Sequence, residues 1–425
     1  MQQEFLFTEG GVAKAKGFSA SGVLNKIKQN RTTYDTALVF SDNICNVAGV
    51  FTQNRVKAEC VKFTKEQISN GKAQAVILNS GNANACTGLE GFENAKKEAL
   101  SVAEKLNISS ENVLVLSTGV IGQQLPVQKI LDGMEELCSS LSKKGNIEAR
   151  QAIMTTDTKY KEAALETSIG GKTVSFGTMA KGSGMIHINM GTMLSVITTD
   201  CAICPELLSK ALKLSAQKTY NCVSIDGDTS TNDSLVILAN GQAENKEITE
   251  ENEDFNKFVK ALDALNTQMA KKIAADGEGA TRLITCNVKG ADTVENARGL
   301  AKAVICSNLV KAAFFGADAN WGRILDAMGY SGFNFTPEKT SVYFLSREGS
   351  KRYFEDGKQN GGNENKIKVF EDGVPLDFDE EYAKKILSEE AVEILVELKD
   401  GKEEGCAWGC DLTYDYVKIN GDYRT

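Results

Sequence analysis

Thr192 has the clearest chemical potential in this chain. It follows Gly191 at the mouth of an apolar run, Met193-Leu-Ser-Val-Ile197, which reads as a buried strand. Just upstream, Lys181-Gly-Ser-Gly184 supplies a cation and two glycines. A small residue followed by threonine at the start of a buried strand has two readings. One is a strand edge with an ordinary β-branched residue. The other is a self-cleaving bond that leaves Thr192 as a new N-terminus, whose free amine activates the neighbouring hydroxyl as a nucleophile.

The rest of the chemical inventory narrows the choice of base. The chain holds one histidine, His187, so a Ser-His-Asp or Cys-His site would have to use it. His187 precedes Thr192 by five residues and would have to fold back on its own strand to serve that hydroxyl. A His-ligated metal centre is excluded by the same count. Cys201-x-x-Cys204 and Cys406-x-x-x-Cys410 have spacings a zinc site could use. They fall within expected secondary structure and read as buried free thiols. There is neither a Gly-x-x-x-x-Gly-Lys phosphate loop nor a dinucleotide fingerprint. The α-amine of an N-terminal threonine fills the gap, because its reference pKa of about 8 suits general-base work.

Several strand-to-loop junctions could position partners for such a nucleophile. Ala75–Leu78 reads as a strand that ends in the small polar loop Asn79–Gly88, with a helix following over Phe92–Leu106. Asn112–Leu116 reads as another strand, opening into Ser117-Thr-Gly-Val-Ile-Gly122 before a helix over Val127–Leu141. Thr118 and Gly119 therefore sit where backbone N–H groups and a hydroxyl can face a developing oxyanion, or where an ordinary turn lies. Thr36–Phe40 and Val47–Thr52 read as strands joined by a turn at Ser41-Asp-Asn43. Thr173–Ala180 reads as a strand feeding Lys181, and Pro205–Lys218 as a helix with proline in its first turn. The loop Asp226-Gly-Asp-Thr-Ser-Thr-Asn-Asp233 has carboxylates that could hold Mg or Ca but lacks an EF-hand spacing. It reads better as a self-satisfied hydrogen-bonding loop. Glu278, framed by Gly277 and Gly279, is placed to reach a ligand or to sit in a solvated turn. Lys351–Lys366 reads as a Gly/Asn-rich hairpin tip, and Val392–Leu398 and Leu412–Ile419 as closing strands.

Composition sets the frame. A length of 425 residues allows two or three domains or one large two-lobed unit, and 42% hydrophobic with 25% charged residues gives an ordinary globular core. The net charge of -9, with both signs mixed along the chain, argues against nucleic acid as a partner but leaves room for an anionic substrate bound by local cations. An odd count of 11 scattered cysteines fits free thiols in a reducing cytoplasm. Met1-Gln-Gln-Glu-Phe-Leu-Phe7 does not read as a leader, and no apolar run reaches transmembrane length.

Taken together, Asn79–Gly88, Ser117–Gly122, Met179–Met185, Asp226–Asp233, Gly277–Thr281, Asn320-Trp-Gly-Arg323 and Asp422-Tyr-Arg-Thr425 resemble the ornithine acetyltransferase (glutamate N-acetyltransferase) family of arginine biosynthesis. The match runs in order from about Gly10 to the C-terminus. It implies a two-lobed α/β sandwich-type fold and a self-processing precursor. The α chain would be residues 1–191 and the β chain residues 192–425, assembled as an α2β2 heterotetramer. It implies that Thr192 carries an acetyl group from N2-acetylornithine to glutamate in a ping-pong cycle without a cofactor; acetyl-CoA as a further donor is left open. Thr118 and Gly119 match the oxyanion-hole pair, and Thr155, Lys181, Thr192, Glu278, Asn420 and Thr425 match substrate-binding positions. Two positions depart from the pattern. Gly191 replaces the usual alanine, and His187-Ile188 stands where proline is common. Glycine populates more backbone conformations, so slower cleavage is expected.

Two competing functions follow from the same residues. A self-processing aminopeptidase or amidase would use the same N-terminal threonine with water as acceptor. An amino-acid-binding or assembly protein would keep Thr192 inert.

Overall fold

The computed structural model describes residues 5–187, 193–354 and 365–422. The chain forms two compact units, Met1–Asn221 with Thr229–Met269, and Cys222–Asp228 with Ala270–Thr425. The two-lobed α/β expectation is thereby met, although the units do not divide at Gly191–Thr192.

The first unit is built on a nine-stranded mixed sheet. Leu194–Thr199 lies in its interior. It runs antiparallel to Lys172–Lys181, with Lys181 opposite Leu194, and parallel to Ser234–Ala239. All six of its residues are buried, as a central strand requires. Ser234–Ala239 pairs in turn with Thr36–Phe51. The sheet continues through Lys72–Asn82 to Val113–Val120, a parallel pair. The helices Glu59–Gln67 and Gly88–Leu106 pack against one another and against Val113–Val120. The second of these brings Glu98 wholly into the core, where burial pushes its carboxyl up to about 8, so it enters as a neutral acid.

Several sequence readings change here. Thr36–Phe51 is one 16-residue strand, not two. The polar residues after Phe40 form a bulge, with the register shifting between Phe40 and Cys45, which a turn-like composition accommodates equally well. The expected helix over Val127–Leu141 is two short helices, Val127–Asp132 and Met134–Ser139. The break is at Gly133, where a Cβ would stand 1.9 Å from Asn25 Oδ1. The stretch 79–88, expected as a loop, instead ends the strand Lys72–Asn82 and enters the helix at Gly88, leaving a short hydrogen-bonded connection over residues 83–87. Asn82 Oδ1 accepts from Asn84 N at 2.8 Å, and Asn84 Nδ2 donates to Gly91 O at 2.8 Å.

The second unit holds a six-stranded sheet in which Leu283–Ala291 pairs in parallel with Ala391–Glu397 and antiparallel with Glu403–Cys410. The helix Val294–Cys306 covers this region with Ala297, Leu300, Ala301 and Val304. A further change is at the C-terminus: Leu412–Ile419 does not form a strand, and Tyr414–Gly421 is a helix. Its alternating apolar residues mislead because Tyr414 and Val417 are 84% and 67% exposed. Thr413 caps it instead, accepting from Tyr416 N and donating to Gly279 O at 2.7 Å. Of the expected hairpin tip, residues 351–354 instead close the helix Arg347–Phe354, Lys366 opens the strand Lys366–Glu371, and residues 355–364 lie outside the described residues. Among the described residues, no helix is long and apolar enough to cross a membrane.

Thr413→Ala should weaken this cap by about 1 kcal/mol, raising hydrogen exchange at amides 416–421 about fivefold while leaving the sheet amides unchanged. Unchanged exchange in that helix would remove Thr413 from its start.

Candidate active site

Gly81 and Gly119 stand opposite each other where the parallel strands Lys72–Asn82 and Val113–Val120 end. Gly119 has φ +135, and a Cβ there would fall 2.3 Å from the Gly81 carbonyl carbon and 2.5 Å from Asn82 N. Only glycine fits at this approach. Thr118, its neighbour, is partly exposed at the same strand end. Its Oγ1 accepts from Lys181 Nζ at 3.4 Å. Lys181 is 8% exposed and ends the strand that pairs with Leu194. A cavity within this unit is lined by Thr118, Lys181, Met193, Leu194 and the loop residues Ser230, Asn232 and Asp233.

Lys181 is organised by a residue that the sequence reading did not single out. Asp157 Oδ1 accepts from Lys161 Nζ at 2.7 Å and from Gly182 N at 2.8 Å, and Oδ2 accepts from Thr155 N at 3.1 Å. Burial alone would raise this carboxyl, but the charges of Lys181 and Lys161 with these hydrogen bonds outweigh it and hold it at about 2. The Arg31 guanidinium also feels Asp157, and its Nη2 donates to Met154 O at 2.9 Å. Arg31 also faces Asp35, its stronger charge partner, so of these cations it is Lys181 that reaches Thr118, where an ammonium suits a substrate carboxylate. The available sequence signal was the spacing of Asp157 and Lys161, but four-residue acid–base pairs are common on solvated surfaces.

Thr118, Gly119, Thr155 and Lys181 thus lie in the first unit, tied together through Asp157 and the strand ends. Glu278 and Asn420 belong to the second unit. There Glu278 is 6% exposed and its Oε2 accepts from Asn420 Nδ2 at 2.8 Å. Gly279, at φ +68, lets the loop pass the helix 414–421, where a Cβ would meet Tyr416 N at 2.7 Å. Gly191, Thr192 and Thr425 lie outside the described residues.

The cysteines are free thiols. Burial pushes Cys45 and Cys60 up to about 12, and it raises Cys201, Cys406 and Cys410 as well, so these groups stay protonated. Among the described residues, no group of three or more His, Cys, Asp or Glu side chains could hold a metal ion.

A family model described as the ArgJ family matches residues 19–425. The arginine biosynthesis bifunctional protein ArgJ of Caldanaerobacter subterraneus subsp. tengcongensis is 49% identical over 98% of this chain and 99% of its own length. The protein of the same name from Thermotoga neapolitana is 48% identical over 96% of this chain and 99% of its own length. Among solved structures, the arginine biosynthesis bifunctional protein argJ of Bacillus halodurans is 42% identical. That match covers 53% of this chain and 97% of that one, with a TM-score of 0.47.

The depressed Asp157 carboxyl predicts a pH signature. Its folded value, about 2, lies below the ordinary 3.8, so the stabilisation is present above pH 4 and lost as pH falls toward 2. Asp157→Asn should therefore be less stable than the parent at pH 5, with the gap closing between about pH 4 and pH 2. Denaturant midpoints measured across that range check this, and a pH-independent gap would contradict an ionised Asp157.

Proposed function

The chain belongs to the ArgJ family, acyltransferases of arginine biosynthesis, and from that premise we propose that it moves an acetyl group from N2-acetylornithine to glutamate through an ester on Thr192. Cleavage of the Gly191–Thr192 bond frees the Thr192 amine, leaving an α chain of residues 1–191 and a β chain of residues 192–425. That amine takes the hydroxyl proton as Oγ attacks the acetyl carbonyl carbon. The carbonyl oxygen becomes an oxyanion facing Thr118 and Gly119. Collapse breaks the C–N bond, and the proton leaves on the ornithine amine. The α-amine of glutamate then attacks the ester, giving N-acetylglutamate and restoring the Thr192 hydroxyl. No cofactor enters this cycle, and acetyl-CoA would serve only as another donor to the same ester.

The observation that carries this reading is the meeting of Lys181 Nζ and Thr118 Oγ1 at 3.4 Å, on a lysine paired with Leu194. A cation and a hydroxyl donor beside the strand that follows Thr192 suit an acyl transfer between two amino acids that each carry a carboxylate. The cations around Asp157 support the same substrate class. Thr155, Glu278, Asn420 and Thr425 are assigned to substrate binding by the resemblance, and an acidic Glu278 suits an ornithine ammonium group. The assembly is an α2β2 heterotetramer in the cytoplasm.

Thr192→Ala should abolish both cleavage, read by intact mass, and transfer, read with N2-acetylornithine and glutamate; retained transfer would sink the nucleophile assignment. Thr118→Ala should slow transfer about a hundredfold, the scale of one oxyanion donor. Acetate release that does not depend on glutamate would indicate a hydrolase. A single uncut species without an acetyl adduct would indicate a binding protein.

A further inference from the structure

The polar loop ending at Asp233 has no part in the cycle above, yet its Asn232 reaches the strand that carries Thr118. Asn232 is 5% exposed. Its Nδ2 donates to Ser117 O at 2.8 Å and to Ala83 O, and its Oδ1 accepts from Thr231 Oγ1 at 2.6 Å. Both amide hydrogens are used on carbonyls, one within the strand Val113–Val120 and one just past the end of Lys72–Asn82. The Ser117 carbonyl belongs to the planar peptide whose other end is the Thr118 nitrogen. Anchoring that oxygen fixes the plane from which Thr118 and Gly119 extend. The loop is itself held from both sides. Thr52 N donates to Asp233 O and Ala58 N to Thr231 O, both at 3.0 Å. Ser234 N donates to Met193 O at 2.9 Å, so the same loop is in register with the residue after Thr192.

We propose that Asn232 is a positioning residue that sets the Thr118–Gly119 strand end against the segment following Thr192. The proposal rests on the oxyanion role assigned to that strand end. Two carbonyls converging on one side chain require a double donor, so aspartate, of equal size, cannot replace it. A carboxylate there would face both carbonyl oxygens without a proton to give. Thr231 contributes by orienting the carboxamide through its hydroxyl.

The test is a double-mutant cycle on transfer from N2-acetylornithine to glutamate, with rates referred to cleaved chain quantified by intact mass. Asn232→Asp should lower kcat by about tenfold to a hundredfold, within the scale of an oxyanion donor, with KM nearly unchanged. In a Thr118→Ala background the same change should cost far less, because the group it positions is gone. Thr231→Val, which deletes only the orienting hydroxyl, should give a smaller kcat loss with the same coupling, and it carries the cycle if Asn232→Asp does not fold. An impaired Thr118→Ala whose defect simply multiplies with that of Asn232→Asp or Thr231→Val overturns the Asn232 assignment alone. A Thr118→Ala protein with unchanged kcat overturns the assignment together with the oxyanion reading.

Discussion

The candidate site depends on the contact between Gly81 and Gly119. Two parallel strands end side by side so closely that a methyl group on Gly119 would enter the Gly81 carbonyl. A side chain there would force the strand ends apart. Thr118 would then shift relative to Lys181, and the Ser117 and Ala83 carbonyls would no longer converge on one carboxamide. The scaffold around the contact is polar and cross-linked: Asn82 holds Asn84, Asn84 holds Gly91, and Asn232 holds the Ser117 carbonyl. Such a network is stiff because each member would leave a buried group unpaired if it moved.

Asp157 plays the corresponding part for charge. A lone ammonium at 8% exposure is costly. Here the carboxylate is shared among Lys161, Gly182 and Thr155, so Lys181 is stabilised by the charge while its Nζ still reaches Thr118. The ammonium is thereby pre-organised beside Thr118.

Strands with continuous apolar runs were legible in the sequence, as was the helix over Pro205–Lys218, whose bounds match. The strand carrying Thr118 and Gly119 was legible as an apolar run, but it continues to Val120, through residues whose composition suggested a turn, because the pairing extends to Gly81 and Gly119. The C-terminal helix was not, since its alternation imitates a strand and only burial distinguishes the two. Asp157 and Asn232 were also hidden: the partners that give each its place, Gly182 and Lys181 for one and Ser117 and Ala83 for the other, are distant in sequence, and neither type is unusual in a loop. Glu98 is a further instance. A glutamate on an amphipathic helix reads as solvent-facing, yet here it is buried as a neutral acid.

The place of Leu194–Thr199 has a bearing on the history of the molecule. That strand lies between Lys172–Lys181, from before residue 191, and Ser234–Ala239, from after it, and the latter pairs onward with Thr36–Phe51. The segments on either side of residue 191 are thus interleaved in one sheet. A break in the chain there would separate nothing; it would convert a fold reached within one molecule into one that two strangers would have to rediscover by collision. Order of events would then be built into the topology: assembly first, scission second, and no easy return once the pieces are unfolded.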